Sequence, residues 1–159
     1  LSGRGRTSGT NFIMNNLQEL YQKIILNHAK NPVGYGTVPH ANCVGALRNP
    51  ECGDEITVYA EVDAQRIQQL GFTGTGCVIS MASASMMVAQ LNGRTLADAR
   101  QLWENFQNLV LQKDCDSDQL GDLAAFASLH QFPTRVRCGT LAWHALAEGL
   151  KEKGEVFDG

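Results

Sequence analysis

The segment Ile56-Thr57-Val58-Tyr59-Ala60-Glu61-Val62 decides the fold, because apolar and polar residues alternate along it. Alternation with a period of two is typical of a β-strand that buries one face. The four residues Asp63-Ala64-Gln65-Arg66 follow as a predicted hairpin connection, and residues 67–73 form the predicted returning strand. A short apolar run at residues 43–47 precedes the segment. The sequence therefore predicts a small antiparallel three-stranded sheet.

Helical patterns lie on both sides of this predicted sheet. Apolar spacing predicts a helix from Leu17 that ends at Asn31-Pro32, because proline disfavours helical geometry at the residue before it. The pattern changes from strand to helix after Gly74-Thr75-Gly76-Cys77. Further helices are predicted over 79–91, from Thr95, from Leu120 to Leu129, and from near Thr134 to Leu150. Helices on one face of an antiparallel sheet make an α+β two-layer sandwich.

Composition excludes several classes of protein. The 159 residues fit one domain, and the formal charge of −3 lacks the basic excess that nucleic-acid binding requires. No apolar run approaches the roughly 20 residues of a membrane-spanning helix, and no secretory leader is recognisable. We therefore expect a cytoplasmic protein that binds neither nucleic acid nor membrane.

The first 13 residues are rich in Gly, Ser, Thr and Arg. They are predicted to be a vector-derived leader or a disordered segment, with residues 14–159 forming a single domain.

Five cysteines, at 43, 52, 77, 115 and 138, are an odd number in a chain without an export signal. A disulfide framework is therefore not expected, and metal binding or thiol reactivity is favoured. Cys43 is predicted to pack in the core as a small apolar residue, and Cys115 to lie incidentally in an acidic loop. His28, on the apolar stripe of the first helix, is predicted to be a packing residue rather than a ligand.

Three of the cysteines lie at boundaries between predicted elements. Cys52 lies in a turn before a strand, Cys77 at a helix start, and Cys138 near the first turn of the last helix. Loops at one edge of a sheet can converge, and a helix N-terminus favours a thiolate. These three thiols are therefore the candidates for a shared site.

Asp54 completes a donor set with the three thiols. Three thiolates and one carboxylate suit tetrahedral zinc, and Gly53 lets Cys52 and Asp54 bend toward one point. Such a site would carry a charge of about −2, which Arg135 and Arg137 could offset locally. The spacing alone leaves a purely structural zinc site open.

Three long segments resemble one family. Asn49-Pro50-Glu51-Cys52-Gly53-Asp54, residues 74–85 and residues 135–143 look like the signature segments of the SufU/IscU/NifU N-terminal domain family, and the likeness extends from Met14 to about Leu150. Arg137 stands where IscU-like proteins have a histidine, and residues 114–129 look like the insertion typical of SufU-like proteins. The resemblance is therefore closest to SufU and implies that family's fold.

SufU-like proteins are zinc-dependent sulfur acceptors, which implies a function for this chain. The resemblance implies that a cysteine desulfurase of the SufS type frees Cys52 from zinc, and that Cys52 then takes sulfur as a persulfide, as in disulfide exchange. Cys77 and Cys138 would retain the metal, Asp54 would tune the release of Cys52, and Arg135 would contact the partner or the site. Downstream cluster assembly machinery or apo-proteins would receive the sulfur, and no independent small-molecule turnover is expected.

Two other functions stay open at this point. The same residues could form a scaffold on which a labile iron–sulfur cluster is built and passed to apo-proteins. Alternatively, the chain could be a non-catalytic adaptor whose zinc only supports folding. Metal analysis and a desulfurase assay separate the three readings.

Overall fold

A computed structural model describes the backbone of residues 2–157 and the side chains of residues 16–157. The regular elements are α1 (Ser2–Lys30), β1 (Cys43–Asn49), β2 (Asp54–Asp63), β3 (Arg66–Thr75), α2 (Val78–Leu91), α3 (Leu96–Val110) and α4 (Pro133–Lys151). Three short 3₁₀ helices lie between α3 and α4: Ser117–Gln119, Gly121–Phe126 and Leu129–Gln131. The side chains of residues 1–13 lie outside the described part of the chain. The leader or disordered segment expected there stays a prediction.

The sheet is an antiparallel meander in the order β1-β2-β3. Strand β1 pairs with β2 from Cys43 opposite Ala60 to Asn49 opposite Asp54. The β2–β3 hairpin turns through Ala64 and Gln65, whose φ angles of 53° and 59° belong to the turn class that matches the twist of paired strands. The alternation of the second strand thus produces the predicted buried face, and the predicted α+β fold is confirmed.

Helices α2 and α4 cover that face, and α4 approaches β1 without intervening side chains. A Cβ atom added at Gly45 would lie 1.9 Å from the carbonyl oxygen of Ala145 and 2.7 Å from the amide nitrogen of Gly149. The helix and strand backbones are therefore in direct contact at this point. Behind them, Trp103 of α3 stacks on Trp143 of α4 with ring centroids 5.2 Å apart, which joins the third helix to the core.

Serines of α2 connect this helix to its neighbours. Ser83, which is fully buried, accepts a hydrogen bond from the Trp143 indole at 3.2 Å and donates one to the carbonyl of Gly139. Ser85 accepts from the backbone amide of Val33 at 2.8 Å. The serine side chains are small, so they let α2 pack closely. Their hydroxyls also connect α2 to α4 and to the segment after α1 through hydrogen bonds inside the core.

His28 joins three parts of the chain. Its Nδ1 lies 2.7 Å from Ser85 Oγ, and its Nε2 lies 2.8 Å from Asp122 Oδ2 in the second 3₁₀ helix. The side chain is only 12% exposed. The prediction of a hydrogen-bonded packing histidine is confirmed.

The single helix predicted from Leu120 to Leu129 is wrong. The segment forms 3₁₀ helices instead, and its four large apolar residues are all buried: Leu120, Leu123, Phe126 and Leu129. Their spacing of three residues is the period of a 3₁₀ helix rather than the 3.6 of an α-helix. Gly121 also has φ = +56°, which an α-helix interior does not accept.

Helix α1 ends at Lys30, where Asn31-Pro32 predicted its end. Among the described helices, none joins sufficient length to the apolar character that crossing a bilayer requires.

Candidate metal centre

The turn between β1 and β2 carries the first two donors. The carbonyl oxygen of Asn49 accepts hydrogen bonds from the amides of Cys52 at 3.2 Å and Gly53 at 2.9 Å. Gly53 has φ = +71°, a left-handed conformation that favours glycine. The turn therefore leaves Cys52 half-buried and brings Asp54, which is fully buried, to the start of β2.

Asp54 connects this turn to the start of α2. Its Oδ1 accepts a hydrogen bond of 2.7 Å from the backbone amide of Cys77, and its Oδ2 lies 3.8 Å from Cys77 Sγ. Cys77 is the N-cap of α2, as its place in the sequence predicted. Gly76 permits the approach, because a Cβ atom there would lie 2.3 Å from Ser80 Oγ and 2.8 Å from Asp54 Oδ1. One carboxylate oxygen is thus committed to the backbone, and the other faces the thiols.

Cys138 reaches the same place from α4. Its Sγ lies 3.0 Å from Cys52 Sγ, and the donor atoms of Cys52, Asp54 and Cys138 all lie within 4.8 Å of one another. Cys77 stands at the edge of this set through its contact with Asp54. The structure therefore brings the four sequence-predicted donors to one edge of the sheet.

The surroundings of Cys138 differ from the sequence-based expectation. It is the sixth residue of α4, in the second turn, so it lies beyond the helix N-terminus that was expected to favour its thiolate. Burial raises the pKa of the Cys138 thiol far above its ordinary value, and contacts with Cys52, Asp54 and Cys77 raise this pKa further. The N-terminus of α4 therefore does not account for a thiolate at Cys138.

The same surroundings fit a bound cation. Three thiols and a carboxyl group lie close together in one buried region, where each negative charge would disfavour the others. A bound cation would offset this repulsion and favour the ionised forms. Three thiols and a carboxylate form a donor set that zinc accepts in tetrahedral sites. The residues present thus fit zinc by the chemistry of the donors and by their proximity.

Two arginines were expected to offset the charge of the site. Arg137 forms an ion pair with Glu51, one residue before Cys52, so its guanidinium ties α4 to the Cys52 turn. Arg135 is exposed and lines an open cleft of about 620 Å³ together with Phe132 and Cys77. Neither arginine has a described contact with a thiol, and their roles stay predictions.

Asn49 and Ser80 are site residues that the sequence reasoning missed. The Asn49 amide donates to Cys138 Sγ at 3.5 Å, and the Ser80 hydroxyl donates to the Cys77 carbonyl at 3.0 Å. The place of Asn49 in the segment Asn49-Pro50-Glu51-Cys52-Gly53-Asp54 is a usable signal, but the sequence analysis assigns no role to it beyond the family resemblance.

Comparison with known proteins identifies the family. The family model described as the NifU-like N-terminal domain matches residues 20–151, which include every donor of the site. The chain belongs to this NifU-like family. Membership agrees with the resemblance in the three segments that carry Cys52, Cys77 and Cys138.

Individual members of the NifU-like family cover nearly the whole chain. The zinc-dependent sulfurtransferase SufU of Bacillus subtilis is 38% identical over 141 residues, 87% of this chain and 95% of that protein. The iron–sulfur cluster assembly scaffold protein IscU of Streptococcus pyogenes is 35% identical over 144 residues, 90% of each chain. Both names therefore come from relatives of similar identity.

A solved structure shows the same fold. A protein from Fervidobacterium islandicum AW-1, proposed as an iron–sulfur cluster assembly scaffold of the SUF system, superimposes with a TM-score of 0.76 at 34% identity, covering 80% of this chain and 93% of its own. The predicted fold and the family resemblance are therefore confirmed.

Proposed function

We propose that this NifU-like protein serves iron–sulfur cluster assembly by accepting persulfide sulfur on Cys52 from a cysteine desulfurase of the SufS type, with zinc held by Cys52, Asp54, Cys77 and Cys138. The 38% identical SufU relative is named a zinc-dependent sulfurtransferase, which supports the finer part of the proposal. The convergence of the four donors supports the zinc site.

The unequal anchoring of the two adjacent thiols carries the proposal. Cys138 is fully buried in the second turn of the core-packed helix α4. Cys52, whose Sγ is 3.0 Å away, is half-buried on a short turn next to Gly53. A ligand that must leave and react needs exposure and a flexible backbone, whereas a retained ligand needs neither. Cys52 therefore suits the sulfur acceptor, and Cys138 suits the retained ligand.

The transfer step is a thiolate exchange. The Cys52 thiolate attacks the terminal sulfur of the desulfurase persulfide, a new S–S bond forms on Cys52, and the old S–S bond breaks. The desulfurase cysteine leaves as a thiolate, and the proton of the terminal sulfur travels with that sulfur, so no external oxidant or reductant is needed. When bound, zinc would supply the positive charge that keeps the thiols of the site deprotonated.

The remaining residues hold the site while Cys52 reacts. Asp54 keeps its Oδ1 on the Cys77 amide at 2.7 Å, which fixes the start of α2. The cleft beside Cys77, with the exposed side chains of Phe132 and Arg135, offers the desulfurase a surface that reaches one donor of the site. Sulfur on Cys52 would pass to the downstream assembly machinery or to apo-proteins.

The proposal is tested by trapping the persulfide. The zinc-loaded chain is incubated with a SufS-type desulfurase and cysteine, alkylated, digested and analysed by mass spectrometry. We expect the mass of one extra sulfur atom on the Cys52 peptide, and stimulation of the desulfurase that Cys52→Ala abolishes. Cys43→Ala, a thiol removed from the core, is the matched control and should keep both signals. Full desulfurase stimulation by Cys52→Ala would overturn the proposal.

A scaffold for an iron–sulfur cluster is the second candidate, because the IscU relative of 35% identity carries that name. Here the cluster is the cargo of the same donors. Anaerobic reconstitution separates the two: transfer of an intact cluster to an apo-acceptor, with zinc inhibitory, supports the scaffold. Unchanged desulfurase turnover together with lost thermal stability in Cys52→Ala would instead indicate an adaptor with structural zinc.

A further inference from the structure

Asn49 contacts both segments that carry the adjacent thiols. It is the last residue of β1, lies opposite Asp54 in the sheet and is only 5% exposed. Its backbone carbonyl accepts from the amides of Cys52 and Gly53. Its side-chain amide donates to Cys138 Sγ at 3.5 Å. One residue thus holds the Cys52 turn through its backbone and the Cys138 sulfur through its side chain.

The two sulfurs differ in what donates to them. Cys138 Sγ receives the N–H of the buried Asn49 amide. Among the side chains of residues 16–157, none gives Cys52 Sγ an amide or hydroxyl donor; its donor is the Cys138 thiol, whose Sγ lies 3.0 Å away. A hydrogen bond from a buried amide has a preferred direction and holds its acceptor in place. Asn49 therefore fixes the position of the Cys138 sulfur but not that of the Cys52 sulfur.

We infer that Asn49 is the positioning residue that makes the two thiols behave differently. Because Asn49 holds the Cys138 sulfur, Cys138 stays on zinc while Cys52 departs. The inference rests on the proposed function, since it explains which thiol is free to accept sulfur. The amide N–H holds the Cys138 sulfur in its place beside Cys52 and Asp54. The backbone contacts to Cys52 and Gly53 do not involve the Cys52 sulfur, so that sulfur can leave without disturbing Cys138.

The hydrogen bond is expected to act on affinity and on order of release. Partners that hydrogen-bond metal ligands typically change metal affinity by about 10–100-fold when removed. A polar residue that merely satisfied the end of β1 would affect folding, but it would not distinguish one cysteine from another. The order in which the cysteines react therefore separates positioning from a purely structural role.

The test uses Asn49→Leu, which keeps the approximate size of the side chain and removes the amide. The zinc-loaded full chain is pulse-alkylated with isotope-coded iodoacetamide, and the rates at Cys52, Cys77 and Cys138 are measured by mass spectrometry. In the unaltered chain Cys52 should react first and Cys138 last. In Asn49→Leu the Cys138 rate should rise about tenfold toward that of Cys52, and zinc affinity against a chelator should fall about tenfold.

Controls keep the test decisive. Asn42→Leu removes an amide that bonds the backbone of Val62, away from the site, and it should leave the order of alkylation unchanged. Asn49→Gln retains an amide and should restore most of the order, and Asn49→Ala replaces Asn49→Leu if circular dichroism shows that the leucine variant does not fold.

Equal acceleration of all three cysteines, or an unchanged Cys138 rate, in Asn49→Leu would overturn the inference alone. An unaltered chain that binds no zinc would overturn the proposed function and this inference with it. An unaltered chain that binds zinc but forms no Cys52 persulfide would count against the proposed function, while the alkylation order still decides the role of Asn49.

Discussion

The two ends of strand β1 place thiols in opposite surroundings at the same depth. Cys43, at the first end, is 1% exposed and belongs to the apolar core. At the last end, Asn49 contacts Cys138, which is 0% exposed and lies against a second thiol and near a carboxylate. Burial raises the pKa of both thiols. Depth alone therefore does not distinguish an inert cysteine from a ligand, whereas the donors gathered around the sulfur do.

The largest expected difference between the two ends is in zinc binding. Cys138→Ala should lower zinc affinity by about 100-fold or more, because even residues that only support ligands are worth 10–100-fold. Cys43→Ala should bind zinc as the unaltered chain does. Chelator competition measures both affinities, and an equal loss in the two variants would break the comparison.

The polar end depends on the buried hydroxyl that ties α4 to α2. Ser83→Ala leaves the Trp143 indole N–H without its acceptor and removes one donor to the carbonyl of Gly139, the residue after Cys138. We expect the free energy of unfolding of the metal-free chain to fall by about 1–3 kcal/mol in urea titrations. Ser117→Ala, at an exposed position, is the control and should change it by less than about 0.5 kcal/mol. Equal effects of the two changes would contradict this account.

At the apolar end of β1, the burial of Cys43 should make the free energy of unfolding depend on pH in the alkaline range. Burial holds the Cys43 thiol neutral in the folded chain, whereas the unfolded thiol ionises near its ordinary value of 9.0. Its contribution to stability is thus fully present below pH 9 and declines as pH rises, by at most about 1.4 kcal/mol per pH unit. Urea unfolding of the metal-free chain at pH 8 and 10 measures this slope. It should be shallower in Cys43→Ala, and identical slopes would contradict the prediction.

The smallest effect is expected at the ion pair that joins the Cys52 turn to α4. Glu51 and Arg137 are 52% and 65% exposed, so the pair contributes only about 0.5 kcal/mol. Arg137→Gln should therefore raise the alkylation rate of Cys52 in the zinc-loaded chain by about twofold. Exchanging the two charges, in Glu51→Arg with Arg137→Glu, should restore the rate.

A neighbouring ion pair supplies the control for this small effect. Arg48→Gln breaks the exposed ion pair with Glu55 on the adjacent strand, in which the charged atoms are 2.9 Å apart. It should leave the alkylation rate of Cys52 unchanged. High salt should remove the difference between Arg137→Gln and the unaltered chain. A twofold effect on the alkylation rate that persists in high salt would argue against an electrostatic role of the Glu51–Arg137 ion pair.

Sequence patterns predicted the fold wherever local chemistry determines it. The alternation at residues 56–62 produces β2, the pair Asn31-Pro32 ends α1, and Thr95 caps α3 by accepting from the Asp98 amide at 3.1 Å. The 3₁₀ period of residues 120–129 was visible in the spacing, but it was assigned to an α-helix.

The site was predictable only in part. Turn glycines and helix starts pointed to Cys52, Asp54, Cys77 and Cys138 as candidates. The contact between Asn49 and Cys138 joins residues 89 positions apart, and the Glu51–Arg137 pair joins residues 86 positions apart. Such contacts depend on how α4 lies on the sheet, which no local pattern specifies.

The direct contact between Gly45 and α4 has a mechanical consequence. Because no side chain separates the two backbones, no rotamer can adjust there to absorb a displacement. A push on the sheet is therefore transmitted to the helix rather than dissipated between them. A partner that binds the exposed side of the strands and displaces them would therefore displace α4 as well.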